Sequence, residues 1–267
     1  MVMKQARALY RRVEQRVAQG NLSRLRDTIS ISHHKIGTGY GGWFVPSGLL
    51  SHGSLCYGVG AGEDISFEVE LINHYGCQVH CFDPTPRALR HVELLRLNTA
   101  KGLPTSINDA VGVHYDIAPA GLAKLHFHAF GLWSEDRTMR FYAPENPAHV
   151  SHSIVNLQRT TDYFEADCRT LTTIMNTCGH TDLSLLKLDV EGAEYEILAS
   201  IVSSDIRPAI LCVEFDEGYR PSDGQYLSRI GAVVRRMQTE GYRFTNLDGW
   251  NATFVHQRVL SGSGAVG

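Results

Sequence analysis

A chain of 267 residues, 43% hydrophobic and 20% charged, can bury a substantial core as one large α/β domain or two small ones. A formal charge of −3 gives no electrostatic pull toward nucleic acid or an acidic membrane, and no apolar run approaches the roughly 18 residues of a membrane span. Six cysteines without a CxxC pair or zinc spacing read as reduced, buried thiols. The N-terminus lacks the apolar core of a signal peptide, so a cytoplasmic location is expected.

Residues 3–26 predict an amphipathic, basic helix. Leu9, Val13, Val17, Leu22 and Leu25 form its apolar stripe among Arg11, Arg12, Arg16, Arg24 and Arg26. Docking on the main domain is expected, with a membrane-surface or dimer helix as the alternative. Residues 35–48 carry five glycines and three aromatics, which order only where the aromatics find a surface to cover. That segment suits either a cover over a ligand or a static strap.

The stretch from Leu55 to Asp83 reads as strand, glycine-rich turn, helix and second strand. Gly58, Gly60 and Gly62 follow the first apolar run, and Ile65, Val69, Leu71, Ile72 and Tyr75 recur at helical spacing up to a left-handed cap at Gly76. Val79, Cys81 and Phe82 lead to Asp83. The glycines let the backbone approach a ligand closely, and an acid about 20–25 residues on suits the two hydroxyls of a ribose. This is the pattern of the first half of a doubly wound nucleotide-binding fold. An ordinary tight turn is the alternative.

Thr85 can cap and Pro86 can open a second helix, with Ala88, Leu89, Val92, Leu95 and Leu97 as its buried stripe. Residues 98–124 read as a long connection with at most one short strand. Leu125 to Phe130 alternates as a third parallel strand whose His126 and His128 share a face, with no third metal ligand suggested nearby. Trp133 to Tyr142 predicts a hairpin turning at Glu135-Asp136. The polar loop 143–160, with His149 and His152, has a length usually reserved for function, a mobile surface loop being the other possibility. Strands at 163–168, 183–188 and 209–213, helices from 171, 193 and 222, and a closing strand pair at 242–256 complete the domain. The tail SGSGAVG is expected to be flexible.

Asp83, Asp189 and Glu214 end successive core strands, at the edge where open α/β sheets bind ligands. Asp189 and Glu191 form the sharpest pair, since carboxylates held close push their pKa values apart. For Glu191, and for Glu63 and Asp64 at the mouth of the first helix, favourable placement near a helix N-terminus is the alternative.

The run KLDVEGAEYEIL (Lys187 to Leu198) resembles the signature of the FkbM family of S-adenosylmethionine-dependent methyltransferases. The order of the other pieces is similar too: the glycine loop, FDPTP, FGLWSEDRTMRFY, SHSI and LCVEF, together with a GGW segment at Gly41 to Trp43. The resemblance covers Trp43 to about Val255. It implies a Rossmann-like sheet of seven strands, the last antiparallel, within a methyltransferase domain over residues 55–258. Residues 1–54 would then be an N-terminal helix and strap, and 259–267 a tail. It further implies methyl transfer from S-adenosylmethionine to a hydroxyl of a sugar or natural product. Gly58, Gly60 and Gly62 would flank the cofactor, Asp83 would hold its ribose, and Ala129-Phe130 would lie by its adenine. Cys56 stands where many methyltransferases have an acid, which leaves Glu63 or Asp64 to serve the methionine end. Asp189 is the first choice of base, with Glu191 or His152 next. No metal is required, although Asp189 with Glu191 could hold one. A nicotinamide-dependent reductase and a non-catalytic binding protein on the same scaffold are the rival readings.

Overall fold

The computed structural model describes residues 2–29, 31–108, 112–144, 152–155 and 160–260, with side chains from Val13 onward. Helix α1 (Val2–Ser23) precedes a hairpin of β1 (His33–Ile36) and β2 (Trp43–Pro46). Then come β3 (Leu55–Val59), α2 (Ser66–Tyr75), β4 (Gln78–Phe82), α3 (Pro86–Lys101), the one-turn α4 (Pro119–Leu122) and β5 (Leu125–His128). The second half holds β6 (Gly131–Leu132), β7 (Arg137–Tyr142), β8 (Tyr163–Arg169), α5 (Leu171–Cys178), β9 (Leu185–Leu188), α6 (Glu194–Ser203) and β10 (Ile210–Glu214). It closes with α7 (Tyr226–Thr239), β11 (Tyr242–Asp248), β12 (Asn251–His256) and α8 (Gln257–Leu260).

Local chemistry sets the helix ends. Thr85 accepts a hydrogen bond from the Ala88 amide with Pro86 opening the first turn of α3, while Gly76, Gly102 and Gly179 close α2, α3 and α5 in the left-handed conformation.

Seven strands form a mixed sheet in the order β11-β12-β10-β9-β3-β4-β5. Neighbours from β10 to β5 are parallel, β12 is antiparallel to β10, and β11 is antiparallel to β12. Six strands therefore run one way and one the other. Successive side chains of each strand enter two different cores. Tyr57, Val59, Phe82, Leu186, Leu188, Leu211 and Val213 meet α5, α6, α7 and the end of α1 on one face. Cys56, Val79, Cys81, Leu185, Ile210 and Cys212 meet α2, α3 and the β1–β2 hairpin on the other. Burial on both faces is why β9 shows no polar alternation. No described helix is long and apolar enough to cross a membrane.

Several expectations are corrected. Trp133 to Tyr142 is not a hairpin: β6 and β7 do not pair with each other but flank β8, one parallel and one antiparallel, in a separate three-stranded sheet. In α3 the buried stripe is Ala88, Val92 and Leu95, because the helical period turns Leu89 and Leu97 outward. In α1, Val13 and Val17 are exposed while Ala18 and Leu22 dock beside Leu25 on the core. The short strand expected within 98–124 is an isolated bridge between Ser106 and His114. Of the two β5 histidines only His128 joins a group of potential metal ligands among the described residues, with His80 and Cys178 in place of His126. One ligand atom each from His80, His128 and Cys178 lies within 4.8 Å of the others. His149, most of the loop 143–160 and the tail 261–267 lie outside the described residues.

Candidate active site

The carboxyl ends of β3, β4, β9 and β10 open onto a cleft of about 1080 Å³. Its floor is the loop after β3. Gly60 has φ +82, and a Cβ there would stand 1.8 Å from the Asp189 carbonyl oxygen. Only glycine lets this loop and the turn after β9 approach so closely. Asp83 shapes the same loop: its Oδ2 accepts the Ala61 and Gly62 amides at 2.9 Å each, and its Oδ1 accepts Thr85 at 2.7 Å. The ribose-holding acid expected from the sequence is thus first of all the anchor of the glycine loop.

A buried ion pair lies behind this floor. Gly58 of β3 sits beside Lys187 of β9 in register, and its missing side chain leaves room for Glu68 of α2, whose Oε1 would be 2.6 Å from a Cβ at that position. Lys187 Nζ reaches Glu68 at 3.4 Å, the Gly60 carbonyl at 3.0 Å and Asp189 at 3.6 Å. Burial lifts Glu68 above the ordinary carboxylate range in spite of Lys187. Burial opposes the Lys187 charge as well, but two carboxylates, Glu68 and Asp189, outweigh it and hold the ammonium. Two acids outweigh burial at Lys187, whereas burial outweighs the single cation at Glu68, so both shifts run upward.

Acids dominate the cleft wall opposite the loop. Glu214, at the end of β10, is pushed well above the carboxylate range, first by burial and then by Asp189, with which it shares a hydrogen bond. Burial and the neighbouring Asp189 therefore favour the protonated form of Glu214. Burial raises Asp216 of the following 3-10 turn in the same direction. Asp189 and Glu191 share the cleft as expected, and Glu214 joins them, raised by both of them in addition to burial. Glu191 lines the cleft with φ +51, a left-handed conformation costing a side-chain-bearing residue about 1–2 kcal/mol. Its carbonyl accepts the Ser153 hydroxyl, and Ser153 also exchanges backbone hydrogen bonds with Tyr142. These contacts hold His152 and Ile154 on the cleft wall.

Gly60, Gly62, Glu63, Asp64, Asp83, His152, Asp189 and Glu191 all border the one cleft. Glu63 is engaged by Arg87 at 2.6 Å, and Asp64 accepts the Thr38 hydroxyl at 2.6 Å, which ties the 37–41 turn to the loop. The segment 35–48 accordingly splits its roles. Trp43 is buried, whereas Tyr40, 77% exposed, stands at the cleft rim. Gly58 lies behind the floor. Ala129 is exposed and Phe130 lies under the Arg169 guanidinium, so neither joins the described lining, which on that side consists of Phe82, Gly131 and Leu132. Sequence reasoning missed Glu68 and Lys187 as a buried ion pair beneath the cleft floor. A lysine in the middle of an apolar strand was the available signal.

The family model of the methyltransferase FkbM domain matches residues 58–244, well over half of the chain. The chain belongs to the FkbM methyltransferase family. The matched span contains the glycine loop, Lys187 and every cleft carboxylate named above. No curated protein matches the chain. Among solved structures, monomeric WbdD aligns with a TM-score of 0.36 and 10% identity, over 76% of this chain and 36% of its own. The chain thus spans little more than a third of that protein.

Proposed function

We propose that this FkbM-family chain is an S-adenosylmethionine-dependent O-methyltransferase acting on a small-molecule hydroxyl, such as that of a sugar or natural product. The juxtaposition of the Asp83-anchored glycine loop with the Asp189–Glu214 pair across one cleft carries this reading. Six strands running one way and one reversed also support it, as does a cleft roomy enough for a cofactor and an acceptor together.

The lining fits the group. Gly60, Gly62, Glu63, Asp64 and Asp83 would hold its polar parts, and Phe82 and Leu132 offer apolar walls for its base. When bound, S-adenosylmethionine supplies a methyl on a sulfonium centre. Asp189 would take the proton from the acceptor hydroxyl. Glu214, held toward its protonated form beside Asp189, would steady that carboxylate, and the surrounding acids would favour a neutral, hydroxyl-rich acceptor over an anionic one. Glu191 and His152 are the next candidates for the base. Five buried thiols and a half-buried sixth suit a reducing, cytoplasmic setting.

Calorimetry of the full chain tests the cofactor. Micromolar binding of S-adenosylhomocysteine is expected. Binding of NADH with none of S-adenosylhomocysteine would replace this reading by a reductase.

A further inference from the structure

On the sheet face covered by α5, a second cluster of donors is left unused by the proposed chemistry. His80 Nδ1 of β4 lies 3.0 Å from His128 Nε2 of β5, their rings stacked at 15°. Cys178 ends α5, and one ligand atom from each of these three residues lies within 4.8 Å of the other two. His126 and His180 flank them, with ring centroids 4.5 and 4.8 Å from His80. The Tyr57 hydroxyl bonds His180 Nδ1 and orients that ring. Four imidazoles and a thiol here occupy a strand–helix interface that apolar residues fill elsewhere on the same face.

We propose that His80, His128 and Cys178 form a transition-metal site suited to Zn²⁺, with a fourth position for His180 or water. The donor set is two imidazoles and a thiol. It matches a borderline ion and is wrong for Mg²⁺ or Ca²⁺, which take oxygen ligands. Tetrahedral zinc, with bonds of about 2.0–2.3 Å, places ligand atoms about 3.3–3.6 Å apart. The imidazole pair at 3.0 Å must open slightly, and the widest separation, at most 4.8 Å, must close by about 1.3 Å, a change of rotamer scale. His128 and Cys178 are half-buried, which leaves an entry path. Tyr57, bonded to His180, serves as the kind of outer partner that aligns metal-binding imidazoles. The site would bolt the sheet edge to the end of α5. His128 also stacks on Phe82 at 4.8 Å, so the metal would stiffen one wall of the cleft as well.

The test uses the full chain, reduced and stripped with chelator, titrated with Co²⁺ and then Zn²⁺. One equivalent of Co²⁺ should give a thiolate-to-cobalt charge-transfer band and tetrahedral ligand-field bands, both bleached by Zn²⁺. Cys178→Ser should abolish the charge-transfer band, and His128→Gln should weaken Zn²⁺ binding at least ~10-fold. In the wild type Zn²⁺ should also shield Cys178 from alkylation, read by peptide mass spectrometry. This measurement decides the matter if either variant fails to fold. A wild type showing neither the band nor the shielding overturns the proposal, as does Zn²⁺ binding that is equal in wild type and both folded variants.

Discussion

Lys187→Met asks whether the buried ammonium holds the cleft floor in place. Lys187 is 2% and Glu68 1% exposed, with Nζ 3.4 Å from the Glu68 carboxylate. At an effective dielectric of about 20, unit charges at that 3.4 Å separation attract by about 5 kcal/mol. Desolvation offsets much of this attraction in the intact pair. Removing one partner is nonetheless expensive, about 3–5 kcal/mol, because the other is left buried and alone. The bond to the Gly60 carbonyl is lost at the same time. Lys187→Met should therefore lower the unfolding free energy by about 3–5 kcal/mol in urea titrations at neutral pH. In the double variant with Glu68→Leu, no charge is stranded, so the loss should be clearly smaller than the sum of the single losses. Release of the Gly60 carbonyl should also loosen the loop and weaken S-adenosylhomocysteine binding by at least ~10-fold, an extra cost of about 1.4 kcal/mol. Unfolding of Lys187→Met within about 1 kcal/mol of wild type, or additive single losses, would refute this account of the floor.

The other expectations can be checked on the same protein. Gly60→Ala places a Cβ 1.8 Å from the Asp189 carbonyl, so it should cost more than about 2 kcal/mol in chemical denaturation and abolish cofactor binding in calorimetry. Asp189→Asn keeps the shape but removes the base. On an identified acceptor its turnover should fall about 10²–10⁴-fold with S-adenosylhomocysteine affinity little changed, and wild-type turnover would move the base to Glu191 or His152. Burial pushes Glu194 from an ordinary 4.5 up to about 8. A carboxyl raised in this way stabilises fully below its unfolded value and loses that contribution as pH climbs through the folded one. Relative to wild type, Glu194→Gln should therefore gain roughly 4 kcal/mol between pH 5 and pH 9, and a flat difference in melting curves across that range would contradict the assignment.

Features governed by nearest neighbours were legible in the sequence. Thr85-Pro86, Gly76 and the strand-ending acids Asp83, Asp189 and Glu214 all stand where local chemistry places them. Partners far apart along the chain were not. Lys187 meets Glu68 across 119 positions, and no local pattern announces that Gly58 clears the space between them. Asp189 pairs with Glu214 because β10 lies beside β9 in the sheet, a matter of strand order. The hairpin expected at 133–142 failed for the same reason: β7 has strand-like composition, but composition does not select β8 as its neighbour. Leu89 and Leu97 show a smaller limit, since an apolar residue in a helix need not lie on its buried side.

The pairing of β3 with β9 also has a consequence for synthesis of the chain. Cys56 is hydrogen-bonded in register with Leu185, a separation of 129 positions (185 − 56), so β3, β4 and β5 leave the ribosome well before the central neighbour exists. At about 5–20 residues per second, translation leaves the inner edge of β3 open for roughly 6–26 s. That edge is apolar on both sides and carries the glycine loop, which makes it a template for wrong strand pairing until β9 arrives. The nascent chain is therefore most vulnerable to aggregation while α5 and the three-stranded sheet are being made, and a ribosome-associated holdase should matter most over that interval.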